Sequence, residues 1–225
     1  MAKRIVKEID CPHCKEKVEL QMWDSINVSL NPALKDKIKN GTIFDWTCPQ
    51  CGKTTRIMYP FLYIDMIHTF MIWFGAPGQC NPELYQNMTL DGYQFRQARN
   101  FNELVEKAAI FESQLDDHVI ELMKLSIVQA LYKQTEGGTK ASLPAILVFR
   151  SKQEDGTMIF SALYQNAPGR LIRASETTYN TIRRDLENNP SILKGLADGE
   201  GKFQQVNFDW AKKAMTLLAA QRQGH

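Results

Sequence analysis

The sequence predicts an α+β fold on three observations. Two Cys-Pro-X-Cys turns bracket β-type segments, the periodicity turns helical after Asn100, and strand patterns return after Ala145. The expected order is an N-terminal hairpin lobe with an inserted helix, a helical hairpin, and a C-terminal α+β segment. The boundaries fall at residues 1–77, 78–142 and 143–225, with the third segment packed on the helical hairpin.

The first lobe is organised by Cys11-Pro-His-Cys14 and Cys48-Pro-Gln-Cys51-Gly52. In each, two thiols two residues apart converge at a tight turn; proline fixes φ at the entry and Gly52 takes the positive φ of the exit. Two such knuckles offer four sulfurs, the donor set of a closed structural zinc site, so Cys11, Cys14, Cys48 and Cys51 are the expected ligands of one Zn2+. His13, inside the first knuckle, is expected to face solvent as a turn residue. The 33 residues from Lys15 to Thr47 exceed the spacer of a simple two-knuckle ribbon. They accommodate a short helix that starts at Asn31-Pro32, carries Leu34 and Ile38 on one face and stops at Asn40-Gly41. Thr42–Trp46 enters the second knuckle as a strand and Thr54–Met58 leaves it, a hairpin with the metal at its tip. Loss of the metal is expected to melt residues 1 to about 75.

Next, Ile57–Leu62 and His68–Phe74 read as strands joined at Tyr63-Ile-Asp65-Met, and Gln79–Arg99 as a long connection without a period. Asn100 and Glu103 form a capping box for a helix burying Phe101, Leu104, Val105, Ala108 and Phe111. A longer helix over Gln114–Gln134 buries Leu115, Val119, Ile120, Met123, Ile127 and Leu131, with Glu121 and Lys124 outside. Gly137-Gly138-Thr139-Lys140 is a linker, since it lacks the spacing of a phosphate loop. Strands follow at Ala145–Phe149 and Met158–Leu163, joined through Glu154-Asp-Gly156, with a third at Arg170–Arg173. Ser175 caps a helix that carries Tyr179, Ile182 and Leu186 inward and stops at Asn189-Pro190; a last helix runs from Asn207 to about Gln221.

The paired cysteine motifs, Ser25-Ile-Asn-Val28, Pro32, Gly41 and Tyr59-Pro-Phe-Leu-Tyr63-Ile-Asp65 resemble the bacterial and archaeal CpXC family, over about residues 9 to 132. Phe101-Asn-Glu-Leu-Val-Glu-Lys107 and Leu115-Asp-Asp117 extend the likeness. The resemblance implies metal binding by the four cysteines and no particular activity. Ile64 stands where relatives often have a histidine.

The 27 basic and 25 acidic side chains give a formal charge of +2, so no global field draws the chain to nucleic acid or an anionic membrane. No apolar run reaches the roughly 20 residues of a spanning helix, and no secretory signal opens the chain. Free thiols fit a reducing compartment, and the cytoplasm is the expected location. Cys80 reads as a bystander thiol. Two groups combine acid and imidazole: Asp65 and His68 beside Tyr63, and Asp116, Asp117 and His118. The first reads as a turn whose Asp accepts backbone amides. The second reads as charges favoured by a helix N-terminus, whose side chains diverge by about 100 degrees per residue and cannot converge on one ligand. The expected function is therefore a zinc-stabilised binding or scaffold protein with a protein partner and no catalytic residues. Trp73, Phe74 and the 79–99 connection are its candidate exposed patch. The rivals are an enzyme using either acid–imidazole group and a nucleic-acid binder using Arg170, Arg173, Arg183 and Arg184 around Tyr179, among which Glu176, Asp185 and Glu187 are interleaved.

Overall fold

A computed structural model describes residues 2–86, 88, 90–134, 143–196 and 203–223. The linker expected at Gly137–Lys140 lies outside these residues. Helices and sheets are both present, as an α+β class requires, and the chain divides into two compact units: 1–105 with 200–203, and 106–199 with 204–225.

Unit 1 is built on a mixed five-stranded sheet of order β1-β2-β5-β6-β7. Its strands are β1 (Lys3–Asp10), β2 (Lys17–Asn27), β5 (Phe61–Asp65), β6 (Phe70–Phe74) and β7 (Gln94–Ala98). β1–β2 and β5–β6 are antiparallel hairpins, whereas β2–β5 and β6–β7 pair in parallel. Every residue of β5 and β6 is buried. Their near-continuous apolar sequence is what a strand covered on both faces requires. Leu62, Ile64, Met71 and Trp73 pack with Phe95 and Phe203 in one cluster. Phe61 and Phe74 join an aromatic group around Phe44 whose ring centroids lie 5.3–6.0 Å from its neighbours Tyr59, Phe61, Phe74 and Phe101. Trp73 and Phe74 are thus core residues, not the exposed patch expected of them.

The inserted helix is α1 (Pro32–Lys39), opened by Asn31 and closed by Asn40, with Gly41 at φ 78° and Ile38 buried. Thr42–Phe44 forms a 3-10 turn instead of strand, after which β3 (Asp45–Thr47) and β4 (Thr54–Arg56) make a separate short hairpin. Two further expectations are corrected. Tyr63–Asp65 belongs to β5, and the turn begins at Met66; the connection after Gln79 contains β7, which the polar sequence Gln94-Phe-Arg-Gln-Ala conceals.

The helix α2 (Phe101–Glu112) carries the division between the units, and α3 (Asp117–Gln134) lies wholly in the second. The two are joined by a Schellman turn. Leu115 N–H reaches Ile110 O at 3.1 Å, Gln114 N–H reaches Phe111 O at 2.9 Å, and Gln114 sits at φ 55°. Left-handed backbone costs a side-chain-bearing residue about 1–2 kcal/mol, so exposed Gln114 replaced by glycine is expected to stabilise the chain by about 0.5–1 kcal/mol, net of the entropy glycine adds to the unfolded state. A urea midpoint that rises with unchanged slope checks it.

Unit 2 packs α3, α4 (Glu176–Glu187), α5 (Pro190–Gly195) and α6 (Phe208–Gln223) with a three-stranded sheet in one core. The sheet has the order β10-β9-β8, from β8 (Ile146–Lys152), β9 (Met158–Leu163) and β10 (Arg170–Ala174). Ser175 caps α4 as expected, accepting from Thr178 N–H at 3.2 Å. Pro190 both ends that helix region and opens α5.

Glu121 and Lys124 are not outside. Together with Glu106, Lys107 and Asp117 they form a buried charge network, each no more than 6% exposed. Lys107 Nζ lies 3.0 Å from Asp117 and 3.2 Å from Glu121; Lys124 Nζ lies 3.0 Å from both Glu121 and Glu106. Glu106 Oε1 also accepts the Phe149 N–H of β8 at 2.6 Å. Each lysine is matched across the α2–α3 hairpin, which is why charged positions point inward.

Candidate metal centre

The two knuckles are built alike. Cys11 N–H donates to Glu16 O at 2.9 Å and Cys48 N–H to Lys53 O at 3.0 Å; Lys15 N–H returns to Cys11 O at 2.9 Å and Gly52 N–H to Cys48 O at 3.0 Å. The equivalent residues Lys15 and Gly52 have φ of 66° and 68°. The first knuckle therefore places a lysine where the second uses glycine, and Lys15 Nζ folds back onto Pro12 O at 3.2 Å.

The knuckles meet. Cys11 and Cys51 sulfurs are 3.9 Å apart, as are Cys14 and Cys48, and all four lie within 4.8 Å of one another. Tetrahedral zinc with bonds of about 2.3 Å would set its sulfurs about 3.8 Å apart. No disulfide joins them. Cys11 and Cys48 are buried with Val18, and Ile9, Trp46, Cys14 and Cys51 pack around them. His13 is exposed; its backbone N–H donates to Cys11 Sγ at 3.5 Å, the amide–sulfur bond that steadies a thiolate. Hydrogen bonds, first from the Cys14 amide, bring Cys11 down to about 6. The Glu16 amide favours the Cys14 thiolate, but desolvation and the neighbouring thiols outweigh it and push Cys14 up to about 12. Sulfurs this close share protons, and all four ionise together only when a cation sits among them. The cluster fits one metal ion such as zinc. Cys80 stands apart, its thiol pushed up to about 12 by burial.

Asp65 and His68 do meet: His68 Nδ1 is 2.9 Å from Asp65 Oδ2. Asp65 Oδ1 accepts Ile67 N–H at 2.9 Å, His68 N–H at 3.0 Å and the Ser29 hydroxyl at 3.3 Å, which makes the buried carboxylate the anchor of the β5–β6 turn. Burial raises its pKa, but the hydrogen bonds and attraction of His68 outweigh this and hold the carboxyl below its usual range. A depressed carboxyl contributes stability that is full above its unfolded pKa and lost as pH falls through the folded one. Asp65→Asn is accordingly expected to cost about 1–3 kcal/mol at pH 7 and progressively less below pH of about 4, in urea titrations at several pH values.

Asp116, Asp117 and His118 also converge, within 4.8 Å, against the expectation that they diverge. Asp116 precedes the helix and caps it: its Oδ1 accepts the His118 N–H and faces His118 Nδ1, both at 2.8 Å, so helical spacing does not govern it. Asp117 is committed to the Lys107 ammonium, which opposes a second cation there. Tyr179 is buried and its hydroxyl accepts Asp116 N–H at 2.9 Å, while Arg183 pairs with Glu187 at 2.9 Å. The aromatic centre of the expected nucleic-acid surface is therefore inside the core. Among the described residues no helix is long and apolar enough to cross a membrane.

Two cysteine knuckles at the ends of separate hairpins share one cluster that could hold a metal ion such as zinc. The family profile described as "CpXC protein" matches residues 9–124, just over half of the 225, and the chain belongs to that family. No curated protein and no solved structure matches the chain.

Proposed function

We propose that the chain is a zinc-stabilised binding protein in which Cys11, Cys14, Cys48 and Cys51 hold one Zn2+ and the partner is another protein. The observation that carries this is the meeting of four sulfurs from knuckles 33 residues apart. An all-sulfur tetrahedral donor set favours zinc, and four protein ligands leave no open position for water or substrate. The ion's chemistry is then to neutralise the thiolates and cross-link two hairpins. A reducing compartment such as the cytoplasm keeps the thiols available. Support for binding over catalysis comes from the acid–imidazole groups, whose carboxylates are engaged in holding a turn and a helix start. Elemental analysis of the purified chain tests the site: one zinc per chain is expected, and none in Cys48→Ser. A full complement of zinc in that variant, or iron in the native chain, overturns the reading.

A further inference from the structure

The two edges of the three-stranded sheet are treated differently. On β8 the Phe149 N–H, beside the irregularity in the pairing with β9, is taken by the buried Glu106 carboxylate. That outward amide is withdrawn from foreign pairing. β10 pairs with β9 on one side, and among the described residues no further backbone partner is found for Arg170–Ala174. Leu171 on this strand is 70% exposed, and Arg170 and Arg173 flank it in the open.

Charge separates this edge from the other exposed one. β1 is longer, but its charges are of both signs, and several are engaged: Lys3 with Asp24 at 3.2 Å and Glu8 with Lys17 at 3.3 Å, while Arg4 stacks on Trp23 at 4.2 Å. β10 carries two arginines and no acid. Asp155 accepts Thr157 N–H at 2.9 Å, and that bond first, with the attraction of Arg173 as well, holds its carboxyl below the usual range; Arg170 rests against Tyr164, its Nη2 donating to the hydroxyl at 3.1 Å. A second copy of the chain would bring four arginines together at one edge, which like-charge repulsion disfavours.

We propose that the free edge of β10 receives an extended acidic segment of a partner protein by strand addition. The inference rests on the reading of the chain as a binding protein and names the partner's chemistry. Main-chain hydrogen bonds along the strand supply affinity; specificity comes from an apolar side chain beside Leu171 and a carboxylate beside Arg173 on one face, and a carboxylate beside Arg170 on the other. Arg170 and Arg173 also discourage pairing with basic or neutral strands.

The test uses the full chain with a synthetic peptide of repeating Glu-Val-Thr, which sets an acid against both Arg170 and Arg173 and valine against Leu171, and a Lys-Val-Thr peptide as its counterpart. Amide hydrogen exchange is read residue by residue, and zinc content is measured on the same sample, so that failure at β10 is distinguished from failure of the metal site. The acidic peptide is expected to slow exchange of outward amides within Arg170–Ala174 at least tenfold, and the basic peptide to leave them unchanged. In Arg170→Glu/Arg173→Glu the preference of the two peptides reverses; Arg173→Glu alone weakens the acidic peptide about tenfold. Protection on β1 instead, no protection at millimolar peptide, or protection that grows with protein concentration alone would overturn the proposal.

Discussion

Stripping the metal from the intact chain, or replacing Cys48 by serine, is expected to unfold the knuckles and the β3–β4 hairpin while β5, β6 and β7 stay folded. The hairpin has three residues in each strand, held by a Thr47–Thr54 hydroxyl contact of 2.8 Å and an exposed Arg56–Asp45 pair of 2.9 Å. Two-stranded hairpins are marginal in water, and an exposed ion pair contributes under about 1 kcal/mol. The apolar cluster between the knuckles has three buried members, two of them the cysteines Cys11 and Cys48 themselves. Against this, structural zinc contributes about 10–16 kcal/mol in finger peptides, as much as a whole domain's stability. The central strands have their own supports, the Leu62–Trp73–Phe203 cluster on one face and the Phe44 aromatic group on the other. The loss is therefore narrower than residues 1 to 75. Near-UV circular dichroism and amide exchange report it: the Trp46 ring signal and the amide protection of Trp46 and Thr55, the bonded pair of the hairpin, disappear, and protection at Tyr63 and Ile72 persists. Unchanged Trp46 ring and Thr55 amide signals in the metal-free chain would sink the expectation.

What the sequence disclosed follows from how local each signal is. The knuckles were legible because a thiol pair two residues apart can do little else at a turn, and α4 because its Ser175 cap and Pro190 stop act within a few residues. β7 was not legible. Its Arg96 and Gln97 are buried, the one with its guanidinium on the Phe95 carbonyl at 3.0 Å, the other with its amide on the Gly75 carbonyl at 2.9 Å. The Gly75 partner exists only once β7 lies parallel to β6, and the buried polar pair breaks any alternation that would mark the strand in advance. Trp73 and Phe74 were misplaced for the same reason, since the cover of their strand comes from distant segments. Asp116, Asp117 and His118 were wrongly taken as helical throughout, because the helix begins one residue after Asp116. For Glu121 and Lys124 a signal existed. The i,i+3 pair faces the adjacent Glu106 and Lys107 with opposite signs, a complementarity visible only when the two helices are laid side by side.

That complementarity predicts the second large effect: Lys107→Met is expected to destabilise the chain by about 3–5 kcal/mol at pH 7, although methionine fills most of the same volume. Lys107 is 1% exposed, and Asp117 and Glu121 hold its ammonium charged despite the burial that opposes it. Without it, Asp117 loses its 3.0 Å partner and Glu121 keeps only Lys124. The native network already has three carboxylates to two ammonium groups, and burial pushes the Glu106 carboxyl up, the Lys124 charge only partly offsetting it. A further uncompensated carboxylate must then be buried or protonated. The pH dependence follows in sign. In the variant the orphaned carboxyls bind protons more tightly folded than unfolded, so stability returns as pH falls toward their unfolded values and is lost as pH rises. The deficit relative to the native chain is therefore largest near neutrality and smaller at pH of about 4.5. Urea unfolding of both chains at the two pH values measures it. A deficit below about 1 kcal/mol, or one that is equal at both, would mean that the lysine's charge is not what holds α2 and α3 in register.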